Sequence, residues 1–86
     1  MRQVQVACQL SFSPIGVVDY NSEICRVLEL IENSGLSADV GSMSTIVRGQ
    51  HTQVLELIGQ IVELQAQNGS RFIINMALSN TCGCSQ

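Results

Sequence analysis

From residue 4 to residue 12 the chain alternates without a fault, with Val4, Val6, Cys8, Leu10 and Phe12 on one side and Gln5, Ala7, Gln9 and Ser11 on the other. Successive side chains of a strand point to opposite faces, so this run predicts a β-strand with one greasy face and one face of small and polar groups. Such a strand needs cover on one side only, which favours a sheet with helices packed against a single face. Ser13-Pro14-Ile15-Gly16 is expected to break the strand, because Pro14 lacks a ladder donor and Gly16 tolerates positive φ.

The rest of the chain supplies the cover. Ile24, Val27, Leu28 and Ile31 repeat at helical spacing behind Asn21 or Ser22 as cap, with Glu23 in the first turn and Gly35 as the stop. Residues 36–40 and 45–48 read as short strands around the turn-rich Gly41-Ser42-Met43-Ser44. A second helix over residues 52–68 places Val54, Leu57, Ile58, Ile61 and Leu64 on one face. Gly69 ends it, and Gly59 inside it costs about 1 kcal/mol relative to Ala, tolerable if a neighbouring element comes close there. Residues 71–78 form a last strand with Phe72, Ile74, Met76 and Leu78 on one face and Ile73, Asn75 and Ala77 on the other. The order β-α-β-β-α-β predicts an α+β, ferredoxin-like fold: a four-stranded antiparallel sheet with two helices on one face, formed by a single domain over residues 1–78, with 79–86 as a flexible polar tail.

The second sheet face carries Gln5, Gln9, Ser11 and Asn75 mixed with Ala7, Ile73 and Ala77. It is neither greasy enough for a core nor charged enough for open water, which suits a contact between subunits or a pocket floor. Composition points to self-association as well: in 86 residues, 45% are hydrophobic and only 13% charged, against roughly 25% charged in an average soluble domain. A homodimer or homotetramer is the expectation.

Nucleic acid is an unexpected partner for this chain. The net charge is −3, the four basic residues (Arg2, Arg26, Arg48, Arg71) are scattered, and Phe12, Tyr20 and Phe72 are too few for a base-stacking platform. No apolar run approaches the ~18 residues of a membrane span, and residues 1–5 alternate where a signal segment would be continuously apolar, so a cytoplasmic location without membrane contact is expected.

Catalytic constellations are missing from the pattern. His51 stands just before the second helix with no nucleophile brought to it and is expected as a solvated loop residue or cap neighbour. The glutamates, Glu23 among them, are expected on solvated helix faces. Cys8 and Cys25 fall on apolar positions and read as reduced core thiols. Cys82-Gly83-Cys84 lacks the spacing and the further ligands of a zinc site, which leaves a reduced tail or, as the alternative, a soft-metal or redox handle. The hairpin 41–49 joins three hydroxyls, Ser42, Ser44 and Thr45, to Gly41, Gly49 and Met43, a mixture suited to a neutral heteroaromatic ligand.

The chain resembles the small thiamine-binding proteins, single-domain relatives of the YkoF-type proteins that hold thiamine or its hydroxymethylpyrimidine part. The resemblance rests on Phe12-Ser13-Pro14-Ile15-Gly16, which partly matches an aromatic-x-Pro-Leu-Gly-like turn, on Ser34-Gly35-Leu36 at the end of the first helix, on residues 40–49 against Val-Gly-Pro-Met-Gly-Thr-x-Val-Glu-Gly, and on Gly69-Ser70-Arg71. Ser42, Ser44 and Arg48 depart from the family's Pro, Gly and Glu, and Asn75 and Ser79 stand where relatives often carry Lys, Asp or Arg. The resemblance implies the ferredoxin-like fold, dimers and tetramers built through sheet contacts, and a thiamine or pyrimidine site near the hairpin and first strand.

Together these readings give a candidate ligand set of Ser11, Phe12, Ser42, Met43, Thr45 and Asn75. Ser11, Ser42 and Thr45 would hydrogen-bond the ring while Met43 and Phe12 pack on its faces. No catalytic residue, metal or resident cofactor is expected, and thiamine or hydroxymethylpyrimidine is the expected ligand. The competing reading is a structural or regulatory oligomerisation module with no thiamine site.

Overall fold

The alternation that opens the sequence becomes β1 (Gln5–Ile15), the longest strand of the protein. The computed structural model describes residues 4–16, 19–41 and 43–80. After β1 come α1 (Tyr20–Asn33), β2 (Ser37–Val40), β3 (Thr45–Gln50), α2 (His51–Gln67) and β4 (Arg71–Ser79). The strands form one sheet in the order β2-β3-β1-β4, and every neighbouring pair is antiparallel. This is the ferredoxin-like α+β arrangement that the pattern predicts.

The register explains which side chains face the helices. Leu10 lies opposite Thr45 on β3 and Met76 on β4, and Cys8 opposite Val47 and Leu78. Even-numbered β1 residues therefore share the helix side with Val47. Val6, Cys8, Leu10 and Val47 are buried there against Val27 and Ile31 of α1 and Val54, Leu57 and Ile61 of α2. Each fully buried aliphatic side chain contributes roughly 1.5–3 kcal/mol, so this cluster carries the fold. Burial also pushes the Cys8 thiol pKa above its usual value, because the thiolate loses its solvation.

Pro14 does not end β1. The pairing of β1 with β3 stops at Leu10 and Thr45, whereas the pairing with β4 runs on through Pro14 opposite Phe72 to Ile15 opposite Arg71. Val4 accepts a hydrogen bond at its carbonyl from His51 N–H, which shows that even residues of β1 turn their backbone groups toward the β3 side. At Pro14 that side has no strand, so the missing N–H costs no ladder bond.

Several other expectations are corrected. Asp19 caps α1, accepting from Ser22 N–H at 3.1 Å, in place of the expected Asn21 or Ser22. Asp19 is the acidic residue immediately before the first helical position, and a carboxylate there meets a free N–H of the first turn. Gly35 and Gly69 do stop the helices, with φ of +80° and +68°, a region where a side chain would clash with its own carbonyl. A Cβ added at Gly59 would meet nothing within 4 Å, so this glycine faces open space and no element approaches it. The close approach is at Gly49, where a Cβ would lie 2.8 Å from Leu36 Cδ2.

Cys25 is exposed on α1, since it lies off the stripe that Val27 and Ile31 occupy. Met76 and Leu78 point to the helix side yet are exposed. β4 is the edge strand of the sheet, at the margin of the cover that the helices give. Glu23 is buried, not solvated, at 7% exposure. It shares the i, i+4, i+8 stripe of Val27 and Ile31, and Gln65 of α2, fully buried, donates to its carboxylate at 2.8 Å.

Candidate functional site

Beyond Thr45, where β3 begins, α1 and the part of β1 that β3 leaves unpaired enclose a cavity of about 340 Å³, a volume within the usual range for small-molecule sites. β1 supplies Leu10, Ser11, Phe12 and Ser13. The hairpin supplies Val40, Gly41, Met43, Ser44 and Thr45, and α1 closes the cavity with Tyr20, Ile24, Val27, Leu28 and Ile31. The α1 residues repeat at i, i+4, i+7, i+8 and i+11, one continuous helix face.

Each wall has a structural cause. Thr45 is 6% exposed and takes its place on the helix side because it pairs with Leu10 on β1 and Val40 on β2. Phe12 is held in position by stacking on Phe72, ring centres 5.9 Å apart and planes at 30°, an offset geometry that aromatic pairs favour. The turn between β2 and β3 is closed by Gly41 N–H donating to Ser44 O at 2.8 Å. Two side chains of the opposite sheet face brace it: Gln9 Nε2 donates to Ser44 Oγ at 3.1 Å and Ser11 Oγ to Met43 O at 3.2 Å. Met43 itself is 87% exposed on the rim, and Tyr20 is 50% exposed across from it on α1.

α1, the helical wall of the cavity, is fixed to α2 by Glu23. Its carboxylate accepts from Gln65 and forms an ion pair with Arg26. The Gln65 hydrogen bond, helped by Ser70 and the Arg26 charge against the opposing effect of burial, holds the Glu23 pKa below its usual 4.5.

Of the candidate residues, Ser11, Phe12, Met43 and Thr45 come together at this cavity. Ser42 lies outside the described residues. Asn75 does not join them: it pairs with Ser11 across β1 and β4, and the shared odd parity puts it on the open face of the sheet. The cavity thus opens on the helix side, whereas the sequence pattern points to a pocket floor on the open face. That face instead carries the Arg48–Asp39 ion pair at 2.8 Å beside Ile46 and the glutamines. Tyr20, Ile24, Ser13 and Ser44 are cavity residues absent from the candidate set. The signal for Tyr20 is its position four residues before Ile24.

His51 opens α2 as the neighbour of its N-cap, Gln50, one of the two expectations for it, and is half-buried, not a solvated loop residue. Its N–H donates to Val4 O at 2.7 Å and its Nδ1 accepts from Val4 N–H at 3.1 Å, closing the start of the sheet. Cys82 and Cys84 lie outside the described residues. Among the described residues no three His, Cys, Asp or Glu side chains gather as a metal site, and no helix is long and apolar enough to cross a membrane.

A family model described as thiamine-binding protein matches residues 8–83. No curated protein matches the sequence significantly. Solved structures share the fold. One is a domain of unknown function, DUF77, from Bacillus cereus, with a TM-score of 0.79 and 22% identity over 90% of this chain and 76% of that one. Another is a Thermotoga maritima protein provisionally assigned to thiamine biosynthesis or salvage, with a TM-score of 0.77 and 22% identity over 87% of this chain and 82% of that one. A Streptococcus pneumoniae protein aligns with a TM-score of 0.81 at 14% identity, over 94% and 91% of the two chains.

Proposed function

The chain belongs to the thiamine-binding protein family, and from that premise we propose that it binds thiamine or a hydroxymethylpyrimidine-like ring, without converting it, in the cavity between α1 and the hairpin. The observation that carries this reading is the cavity itself: about 340 Å³ lined mainly by apolar side chains, with the hydroxyl-bearing Ser11, Ser13, Tyr20, Ser44 and Thr45 among its walls. A flat heteroaromatic ring needs apolar walls for its faces and a few short hydrogen-bonding groups for its edge. Thr45 meets the ring edge at the closed end, Phe12 lies against the ring, and Met43 and Tyr20 close over it from the two rims.

Binding is favoured over catalysis because the only histidine of the sequence is used at the other end of β1. Six residues of strand separate Val4, its partner, from Leu10, a distance of about 20 Å. Self-association accompanies the reading, supported by the exposed Ile73, Met76 and Leu78 on the edge strand β4, since an unprotected apolar edge invites pairing with another chain. Those same side chains favour the second reading, an oligomerisation module with no thiamine site.

Isothermal titration of the protein with thiamine and with hydroxymethylpyrimidine separates the two. Heat that saturates at one ligand per chain is expected, and it should be lost when Ile24→Trp, at a partly buried wall position, fills the cavity. The absence of heat at millimolar ligand refutes the binding reading and leaves the module.

A further inference from the structure

The buried stripe of α2 is Val54, Leu57, Ile61 and Gln65. On one side of that stripe Gln53, Leu57 and Gln60 meet Ser34 and Leu36 at the end of α1, so the opposite flank is turned away from α1. That flank carries Leu55, Gly59, Val62 and Ala66 at i, i+4, i+7 and i+11, one continuous apolar row. Leu55 is 45% and Val62 43% exposed, and neither belongs to the core cluster. Gly59 lies at the centre of the row. A glycine inside a helix is less stable than an alanine, and the chain itself does not require one here: Gly59 is outside the positive-φ set of Gly16, Gly35 and Gly69, and a Cβ on it would meet nothing within 4 Å. Its bare backbone leaves a notch at which another backbone can come close. The helix neighbours of that notch, three and four residues away, are Leu55 and Val62 on one side and Glu56 and Glu63 on the other. Both glutamates are exposed, α2 contains no Lys or Arg, and His51 is occupied with Val4.

We propose that this flank of α2 is the docking surface for a helix of another protein, one whose small or apolar contact face is bordered by Lys or Arg. The partner helix seats a ridge in the Gly59 notch, with Leu55 and Val62 packed along it. Its basic side chains reach Glu56 and Glu63, and such charge pairs set register and partner choice more than affinity. Charge argues against a second copy of this chain as the occupant. Two α2 helices crossing at Gly59 about a two-fold axis bring Glu56 and Glu63 of both copies into one contact, with no basic side chain of α2 between them. No residue of α2 lines the cavity beside α1, so the docking surface stands whether or not that cavity holds a ring.

Selection of the full chain against a displayed library of helical peptides tests this, with an Ala/Leu contact face held constant and the flanking positions varied among Lys, Glu and Gln. At about 0.15 M salt, Lys-flanked peptides are expected to be enriched, and the best of them should bind Gly59→Gln at least about tenfold more weakly than the wild type. Glutamine is a good helix former and points into open space there, so the melting temperature of this variant should not fall. Glu56→Lys combined with Glu63→Lys should turn the preference to Glu-flanked peptides. The absence of enrichment, enrichment indifferent to flank charge, or a selected peptide that binds Gly59→Gln as well as the wild type overturns the proposal. So does self-association of the chain that sedimentation shows to be lost in Gly59→Gln, an outcome that gives the surface to a second copy.

Discussion

Gln65 Nε2 lies 2.8 Å from Glu23 Oε1, so the two helices are joined by a buried amide-to-carboxylate hydrogen bond. Because the bond favours the ionised form, the Glu23 pKa is depressed in the folded protein. A depressed carboxylate stabilises the fold above its unfolded pKa, and that contribution is lost as pH falls through the lower folded value. Urea unfolding followed from neutral to acid pH should show midpoints declining below the usual Glu range of about 4.3. Glu23→Gln should be less stable at neutral pH and flatten part of that decline. A wild-type and variant pair with parallel pH profiles would show that Glu23 is not responsible.

Thr45 is a buried wall residue of the cavity, and its hydroxyl can be replaced at little structural risk. Thr45→Val keeps the shape, so the melting temperature should hold while thiamine affinity falls about fivefold, the equivalent of one net hydrogen bond of ~1 kcal/mol. Titration calorimetry beside thermal unfolding gives both readouts.

The turn that forms the hairpin rim is braced from the other sheet face by Gln9 and Ser11. Both bonds are exposed, and removing either costs only about 0.5–1.5 kcal/mol. Ser11→Ala combined with Gln9→Ala should therefore leave the fold intact and speed ligand release, since Met43 loses its anchored backbone. Stopped-flow displacement of bound ligand measures this directly.

Two glycines should respond in opposite directions. Gly59→Ala adds a methyl group to open space on a helix and should stabilise the protein by about 1 kcal/mol. Gly49→Ala brings a methyl group to 2.8 Å from Leu36 Cδ2 and should destabilise it mildly, because the end of the Leu36 side chain can turn aside. Chemical denaturation of the two variants side by side tests both signs.

The fold was legible because its signals are periodic. The two-residue alternation of β1 and the stripes of α1 and α2 each survive local irregularities, and β4 repeats the alternation of its partner. Where residue type and position disagreed, type misled. Glu23 read as a surface residue by chemistry, yet it occupies the next place on the apolar stripe of Val27 and Ile31, where the hydrogen bond from the buried Gln65 makes burial tolerable for both. Pro14 read as a breaker because the sequence does not reveal that β3 stops short of it. The cavity was legible in part, since Phe12, Met43 and Thr45 stand near one another along the hairpin and first strand. Its side of the sheet was not, because Ser11 and Asn75 share a parity opposite to Phe12, and the α1 wall comes from residues with no chemical signature beyond Tyr20.

β1 continues five residues beyond its last pairing with β3, and that mismatch in strand length has a consequence for how the protein can be altered. The room for a guest is a gap at the sheet's unfinished corner, which shares Leu10, Val27 and Ile31 with the buried core. Extending β2 and β3 by a residue pair would shrink it, and trimming them would enlarge it. Guest size is accordingly set by the length of the hairpin strands, whereas substitutions at the shared walls would alter guest size and robustness together.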